Sequence, residues 1–351
     1  MYDYNEKELL VKKLKGQRLC IPDMRPIFAH WPCGQNENYE AMKEVIDKRL
    51  AAQPMKEEAR KAFTNMNPAL LAATWWPSTP KDHYRIMIEF IIWFGYWDDL
   101  VEQLAPNPNA AEDLRRATKA LVRKSLGLDQ PGEDDSLPSN PLVLGFERIA
   151  AEACADFDEE QRRTLLGHFD RYIDATQLEA EADLSERLPS LKRYWEVRIL
   201  TSGMGTLLGF TEYAAQARLP PRLASSTLYE TLWMTAIVIN SIVNDLISFK
   251  KEMKAGSVLS SVAILYQQVD NLDAAVQMSV AHLRILVEEF DRTANTMLSE
   301  FPLNPEEVDA VSRIIDVFRT VNTGNLEWSL QSKRYGVSQF ITDDGHIELI
   351  L

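Results

Sequence analysis

Basic charge is in deficit: 38 lysines and arginines face 52 aspartates and glutamates, a net charge of −14. A nucleic-acid binder normally presents a basic face, so that class is set aside. Cysteine is nearly absent. Cys20, Cys33 and Cys154 are widely spaced and match no zinc or disulfide pattern, so they read as reduced thiols of a cytoplasmic protein. The N-terminal stretch "MYDYNEKELLVKKLKGQ" has no apolar h-region, and no secretory signal is expected. Apolar runs reach only about a dozen residues against the roughly 20 a bilayer crossing needs, so no membrane span is expected either. Glycine is scarce, at 14 of 351 residues, and no strand pair, internal repeat, G-x-S-x-G, P-loop or Rossmann fingerprint is evident. The five histidines show no metal spacing.

What is present is apolar and helical. Hydrophobic residues make up 46% of the chain, enough for an ample core, and eight tryptophans and 13 phenylalanines exceed what a minimal bundle needs. Residues 1–35 carry Pro22, Pro26 and Pro32 and read as an extended N-terminal arm. Helical periodicity then dominates one domain over 36–336, with Asp82 expected to cap the helix that ends soon after Glu102. A polar loop falls at 127–141, and later helices at about 142–154, 158–185, 190–217, 221–255, 258–299 and 305–333. The tail 337–351 has no strong period. The expected fold is all-α: a single-domain helical bundle.

The apolar run "IMIEFIIWFGYW" ends abruptly in "DDLVE". On a helix Asp98 and Glu102 share a face about 6 Å apart along the axis. Carboxylates that close repel, and a hard divalent cation such as Mg²⁺ removes the penalty; the bland alternative is a solvated helix end. A second constellation, "SIVNDLISFKKEMK", lines up Asn244, Ser248 and Glu252 at i, i+4 and i+8, with Asn240 one turn earlier. A polar stripe emerging from a buried helix is costly unless each group is satisfied. Three oxygen donors beside Lys250 and Lys251 favour a metal–anion site over a polar face that merely happens to align.

Together "DDLVE" at 98–102, "NDLISFKKE" at 244–252 and "RY" at 334–335 resemble the class I terpene synthases of microbial type. The first is similar to that family's aspartate-rich motif in its Glu-ending variant. The second is similar to its N-D-x-x-S-x-x-x-E metal triad, and the third to its C-terminal Arg-Tyr pair. The family's diphosphate-sensing arginine, 46 residues before the triad, falls on Arg198, and its effector position at about Ser202, beside the loosened "TSGMG". The resemblance runs from roughly residue 20 to 336 and implies a central hydrophobic cavity within the bundle.

It also implies a reaction: Mg²⁺-dependent ionisation and cyclisation of a prenyl diphosphate, most simply farnesyl diphosphate, to a cyclic sesquiterpene. Three Mg²⁺ ions would lie between Asp98, with Glu102 at its edge, and the Asn244–Ser248–Glu252 wall. Arg198, Lys251, Arg334 and Tyr335 would bind the diphosphate. Asp99, turned about 100° from Asp98, would pair with Arg334 when the site closes. Below this lip Phe94 and Ile91 follow Asp98, with Gly95 opening space beside them, and Ile237 and Asn240 follow Asn244. Trp328, Phe169 and Tyr172 are further pocket candidates. The chain is expected to act as a monomer or homodimer.

Two acid runs are decoys: "ADFDEEQRR" at 155–163 reads as a helix start, and "GEDDS" at 132–136 as loop. Two rivals remain. A chain-elongating prenyl diphosphate synthase would need a second aspartate-rich motif where Asn244–Glu252 stands. A non-catalytic helical scaffold would leave the oxygen stripes solvated.

Overall fold

The computed structural model describes residues 5–129 and 136–351, so most of the "GEDDS" run and the middle of the 127–141 loop lie outside the described residues. The chain opens with α1 (Glu6–Leu14), β1 (Arg18–Ile21), α2 (Tyr39–Ala52), α3 (Glu57–Met66) and α4 (Pro68–Trp75). Next come α5 (Lys81–Leu104), α6 (Pro108–Ser125), α7 (Pro141–Leu144), α8 (Phe146–Ala153) and α9 (Glu159–Leu184). The stretch expected as one helix over 190–217 is broken into α10 (Leu191–Thr201), α11 (Met204–Leu208) and α12 (Thr211–Ala215). Finally α13 (Pro221–Ala224), α14 (Thr227–Lys254), α15 (Ser261–Val269), α16 (Leu272–Glu300) and α17 (Pro305–Gln331) precede β2 (Ile347–Ile350).

Local chemistry sets the boundaries. Asn67 takes a left-handed conformation that ends α3, and its side chain accepts from the Leu70 N–H to start α4, with Pro68 at the first helical position. Reciprocal capping boxes open α9 (Asp158 with Gln161) and α17 (Asn304 with Glu307). The start of α5 differs from expectation: Pro80 occupies the cap, and Asp82 lies in the first turn without capping it. The acids of 155–163 include that capping aspartate, as a helix start requires.

Helix α4 is buried throughout and packs against α17 and α5, while α14 packs on α16 and α17. Gly324 permits a close approach of α17 to α4, since a Cβ there would stand 2.2 Å from the Thr74 carbonyl oxygen. Helix α14 is long and apolar enough to cross a membrane by composition, contrary to the expectation from run lengths. Yet 78% of its apolar window is buried inside the bundle, so its apolar surface is covered by neighbouring helices.

The terminal segments depart from their reading. The arm contains α1 and β1, and β1 pairs antiparallel with β2 of the tail, from Arg18↔Ile350 to Ile21↔Ile347. Four-residue strands so far apart in sequence leave no local period to read.

Candidate active site

Helix α5 carries Asp98, Asp99 and Glu102 to one end of the bundle, where α9 packs its Tyr172 and Glu179 face toward them. The Tyr172 hydroxyl donates to Asp98 Oδ1. Burial pushes the Asp98 carboxyl above the usual carboxylate range, against the pull of that hydrogen bond, and the Asp99 charge adds to the rise. Glu102 is pushed up to about 7, by burial first and then by Asp98 and Asp99. Glu179 goes to about 8, by burial and by the field of Asp98. Glu179 was not read from the sequence; it sits in the polar "EAEADL" helix end, which carries no distinguishing pattern.

The facing wall is α14. The Ser248 hydroxyl donates to Glu252 Oε1 at 2.6 Å. Asn244 accepts at Oδ1 from Arg198 Nη2 (2.8 Å), and its Nδ2 donates to the Tyr335 hydroxyl oxygen (2.9 Å). Asn244, Arg198 and Tyr335 are therefore one hydrogen-bonded unit, and Ser248 and Glu252 form a separate pair on the same helix face. Asp245 stands behind it, a second residue the sequence reading did not assign. Its Oδ1 accepts from Arg198 Nε (3.2 Å), and its Oδ2 accepts from the Tyr194 hydroxyl (2.6 Å) and the Ser261 N–H (2.9 Å). Its only sequence signal was its place in "ND". Burial works against the Arg198 charge, but Tyr194, Asp245, Glu252 and Glu179 hold the guanidinium protonated.

Lys251 and Arg334 complete the cationic side. Burial and the Arg334 charge lower the Lys251 pKa, opposed by Glu252, Glu102 and Asp99. The Arg334 guanidinium lies 5.9 Å from the Tyr335 ring centroid, and its field acts on both Asp98 and Asp99. Asp99 and Arg334 thus feel each other, but among the described residues they do not form an ion pair in this state.

Below the lip, Phe94 stacks near Tyr172 (centroids 4.7 Å apart) and over Gly203. Gly203 adopts φ +70°, and a Cβ there would approach Phe94 Cζ to 2.5 Å; the helix break that Ser202 precedes is thus a packing requirement. Trp328 donates from Nε1 to the Met66 carbonyl (2.7 Å) and meets the Tyr335 ring edge-on. Ile91 and Ile237 are buried beneath the two motifs, as is Asn240. Two expectations change here. Phe169 packs among Phe90, Trp93 and Phe146, a ring cluster of the core. The space beside Gly95 is filled by Phe63 of α3, 3.4 Å from a built Cβ.

The donors brought together are oxygens of carboxylate, carboxamide and hydroxyl, the set a hard divalent cation prefers. Two buried carboxyls held at about 7 and 8 mark a place where positive charge is lacking. Among the described residues no three His, Cys, Asp or Glu side chains converge enough to hold an ion alone. The residues fit a metal bound with help from an anionic ligand lying between the walls.

Comparison with known proteins agrees with this geometry. The model of terpene synthase family 2, C-terminal metal binding, matches residues 89–290. A sesquiterpene cyclase, hepA, of Aspergillus oryzae is 28% identical over 362 aligned residues, covering 99% of this chain and 97% of its own. Pristinol synthase of Streptomyces pristinaespiralis is also 28% identical, covering 80% of this chain and 75% of its own. Among solved structures, linalool/nerolidol synthase from Streptomyces clavuligerus superposes with a TM-score of 0.73 at 15% identity, over 86% of this chain and 98% of its own, and so shares the all-α fold. With more than half of the chain, "DDLVE" and "NDLISFKKE" included, inside the family model, the protein belongs to terpene synthase family 2.

Proposed function

We propose that this protein ionises farnesyl diphosphate with Mg²⁺, three ions in the family's manner, and cyclises the resulting cation to a sesquiterpene. The observation that carries the reading is the shared field of two oxygen-bearing helices: Arg198, bonded to Asn244 of α14, acts on Asp98 of α5, and Lys251 of α14 acts on Glu102. The names of the relatives, a sesquiterpene cyclase and pristinol synthase, support the same class of product.

Asp98, Asn244, Ser248 and Glu252 hold the metal, with Glu102 at the margin. When bound, Mg²⁺ supplies Lewis-acid charge that makes the diphosphate a better leaving group. Arg198, Lys251, Arg334 and Tyr335 direct charge-assisted hydrogen bonds at the diphosphate oxygens, where negative charge grows as the allylic C–O bond breaks. Movement of Arg334 toward Asp99 on binding closes the lip against water. The faces of Phe94, Tyr172 and Trp328 shelter the cation, each ring contributing about 0.5–2 kcal/mol.

The test incubates purified protein with farnesyl diphosphate in Mg²⁺ or in EDTA and reads the hexane extract by gas chromatography–mass spectrometry. A cyclic C15 product is expected with Mg²⁺ and none with EDTA. Glu252→Gln is expected to lower turnover on the order of 100-fold, about 3 kcal/mol of lost charge stabilisation. Parental turnover in that variant, or no product from the parent, overturns the reading.

A further inference from the structure

One turn below Asn244, the seam between α14 and α17 is polar where a hydrocarbon-binding bundle would be expected to be apolar. Asn240 is 5% exposed and Asn325 only 3%, yet both sit mid-helix within the bundle, flanked by fully buried residues such as Ile239 and Ile242. Asn325 Nδ2 donates to the Asn240 backbone carbonyl at 3.4 Å, which couples the two helices here. The Asn240 Nδ2 has no partner among the described residues, and neither do Asn322 Oδ1 and Ser329 Oγ of the same seam. Asn322, Asn325 and Ser329 fall at i, i+3 and i+7, one face of α17.

Buried polar groups without partners are costly, of order 1–3 kcal/mol each, and a cluster of them is where ordered water is held. Asn240 lies on the α14 stripe that leads directly up to the triad, so this polar spot adjoins the proposed hydrocarbon site. We propose that Asn240 and Asn325 are specificity-determining residues that hold one water molecule against the cyclised cation, so that the enzyme releases a C15 alcohol. This rests on the function proposed above.

The Asn240 Nδ2 donates to the water, and the Asn325 carboxamide oxygen accepts a hydrogen bond from one of the water O–H groups. The remaining lone pair is directed at the cationic carbon. The step balances without a redox partner. A water lone pair forms the C–O bond, and the oxonium loses one proton to the diphosphate released at ionisation. Nothing is oxidised or reduced. A fixed amide pair also limits the reaction to one water at one face, which keeps earlier cations from being quenched.

The experiment runs the full chain with farnesyl diphosphate and Mg²⁺ in ¹⁸O-water, measuring diphosphate release and the extracted products together. The expected parent product is an alcohol carrying one ¹⁸O. Asn240→Leu and Asn325→Leu are each expected to lower the alcohol-to-hydrocarbon ratio at least tenfold among the products formed. Asn325→Ser, which keeps a polar group and removes volume, retains the alcohol and serves if a leucine variant fails to fold. Mg²⁺-dependent diphosphate release with hydrocarbons alone from the parent overturns the proposal and leaves the terpene-cyclisation reading standing. An unchanged ratio in both leucine variants does the same. No diphosphate release at all overturns both.

Discussion

Asp245→Asn tests whether Arg198, the arginine proposed to bind the diphosphate, is aimed from behind. The Asp245 side chain is 3% exposed and that of Arg198 20%, so the pair is largely desolvated. Asparagine keeps the shape but removes the charge, and its amide nitrogen must turn toward Arg198 or toward the Ser261 N–H, a donor in either case. Breaking a buried pair from one side costs about 3–5 kcal/mol, and the low end applies here because Arg198 retains some solvent contact. At about 1.4 °C per kcal/mol for a chain of 351 residues, the melting temperature should fall by roughly 4 °C, measured by circular dichroism without ligand. The double variant Arg198→Met with Asp245→Leu removes both charges, so it should melt higher than Asp245→Asn while remaining inactive on the diphosphate. A fall of under about 2 °C in Asp245→Asn, or a double variant less stable than the single, refutes the positioning argument.

Gly203→Ala should destabilise by about 1–3 kcal/mol, through its left-handed φ and the collision with Phe94, and should alter the product mixture because that ring must turn; melting and product profiles check both. His168 predicts an acid limb. Burial holds its pKa at about 3, its ring stacks on Trp233, and Arg171 Nη2 contacts its Nδ1. The unfolded chain takes up this proton near pH 6.5 and the folded chain only near 3, so stability is lost as pH falls across that window. Between pH 7.5 and 4.5 the loss is roughly 3 kcal/mol, and His168→Gln should flatten that limb of the melting profile.

The sequence made legible what repeats locally or follows a spaced motif. Helix periods, the loosening at "TSGMG", and the alignment of Asn244, Ser248 and Glu252 along one helix were readable. What lay hidden is pairwise. Asp245 shares the motif with Asn244, but nothing in a string of residues says that its carboxylate turns away to grip Tyr194, Arg198 and the Ser261 backbone. Glu179 gains meaning only because α9 presents it to Asp98. Phe169 and Tyr172 stand three residues apart, yet one joins the core rings of Trp93 and Phe146 and the other bonds Asp98. Gly95 looked like open space until Phe63 arrived from a helix about thirty residues earlier.

The electrostatics of the site explain why these residues coexist in a protein of net charge −14. Glu102 and Glu179 are held at about 7 and 8 by burial and by neighbouring carboxylates, while Lys251 is pressed toward its neutral form by burial and by Arg334. The acids are thus partly discharged without a ligand, and the Lys251 charge is disfavoured by burial and by Arg334. Divalent cations restore the carboxylates to their ionised form and release protons as they do so. A diphosphate likewise stabilises the protonated Lys251 and the fixed guanidinium groups. Neither ligand alone satisfies both sides: cations leave Arg198, Lys251 and Arg334 crowded, and the anion leaves the acids repelling one another. Under the proposed function, the arrangement favours simultaneous binding of metal and diphosphate, with closure of the lip expected only when both are present.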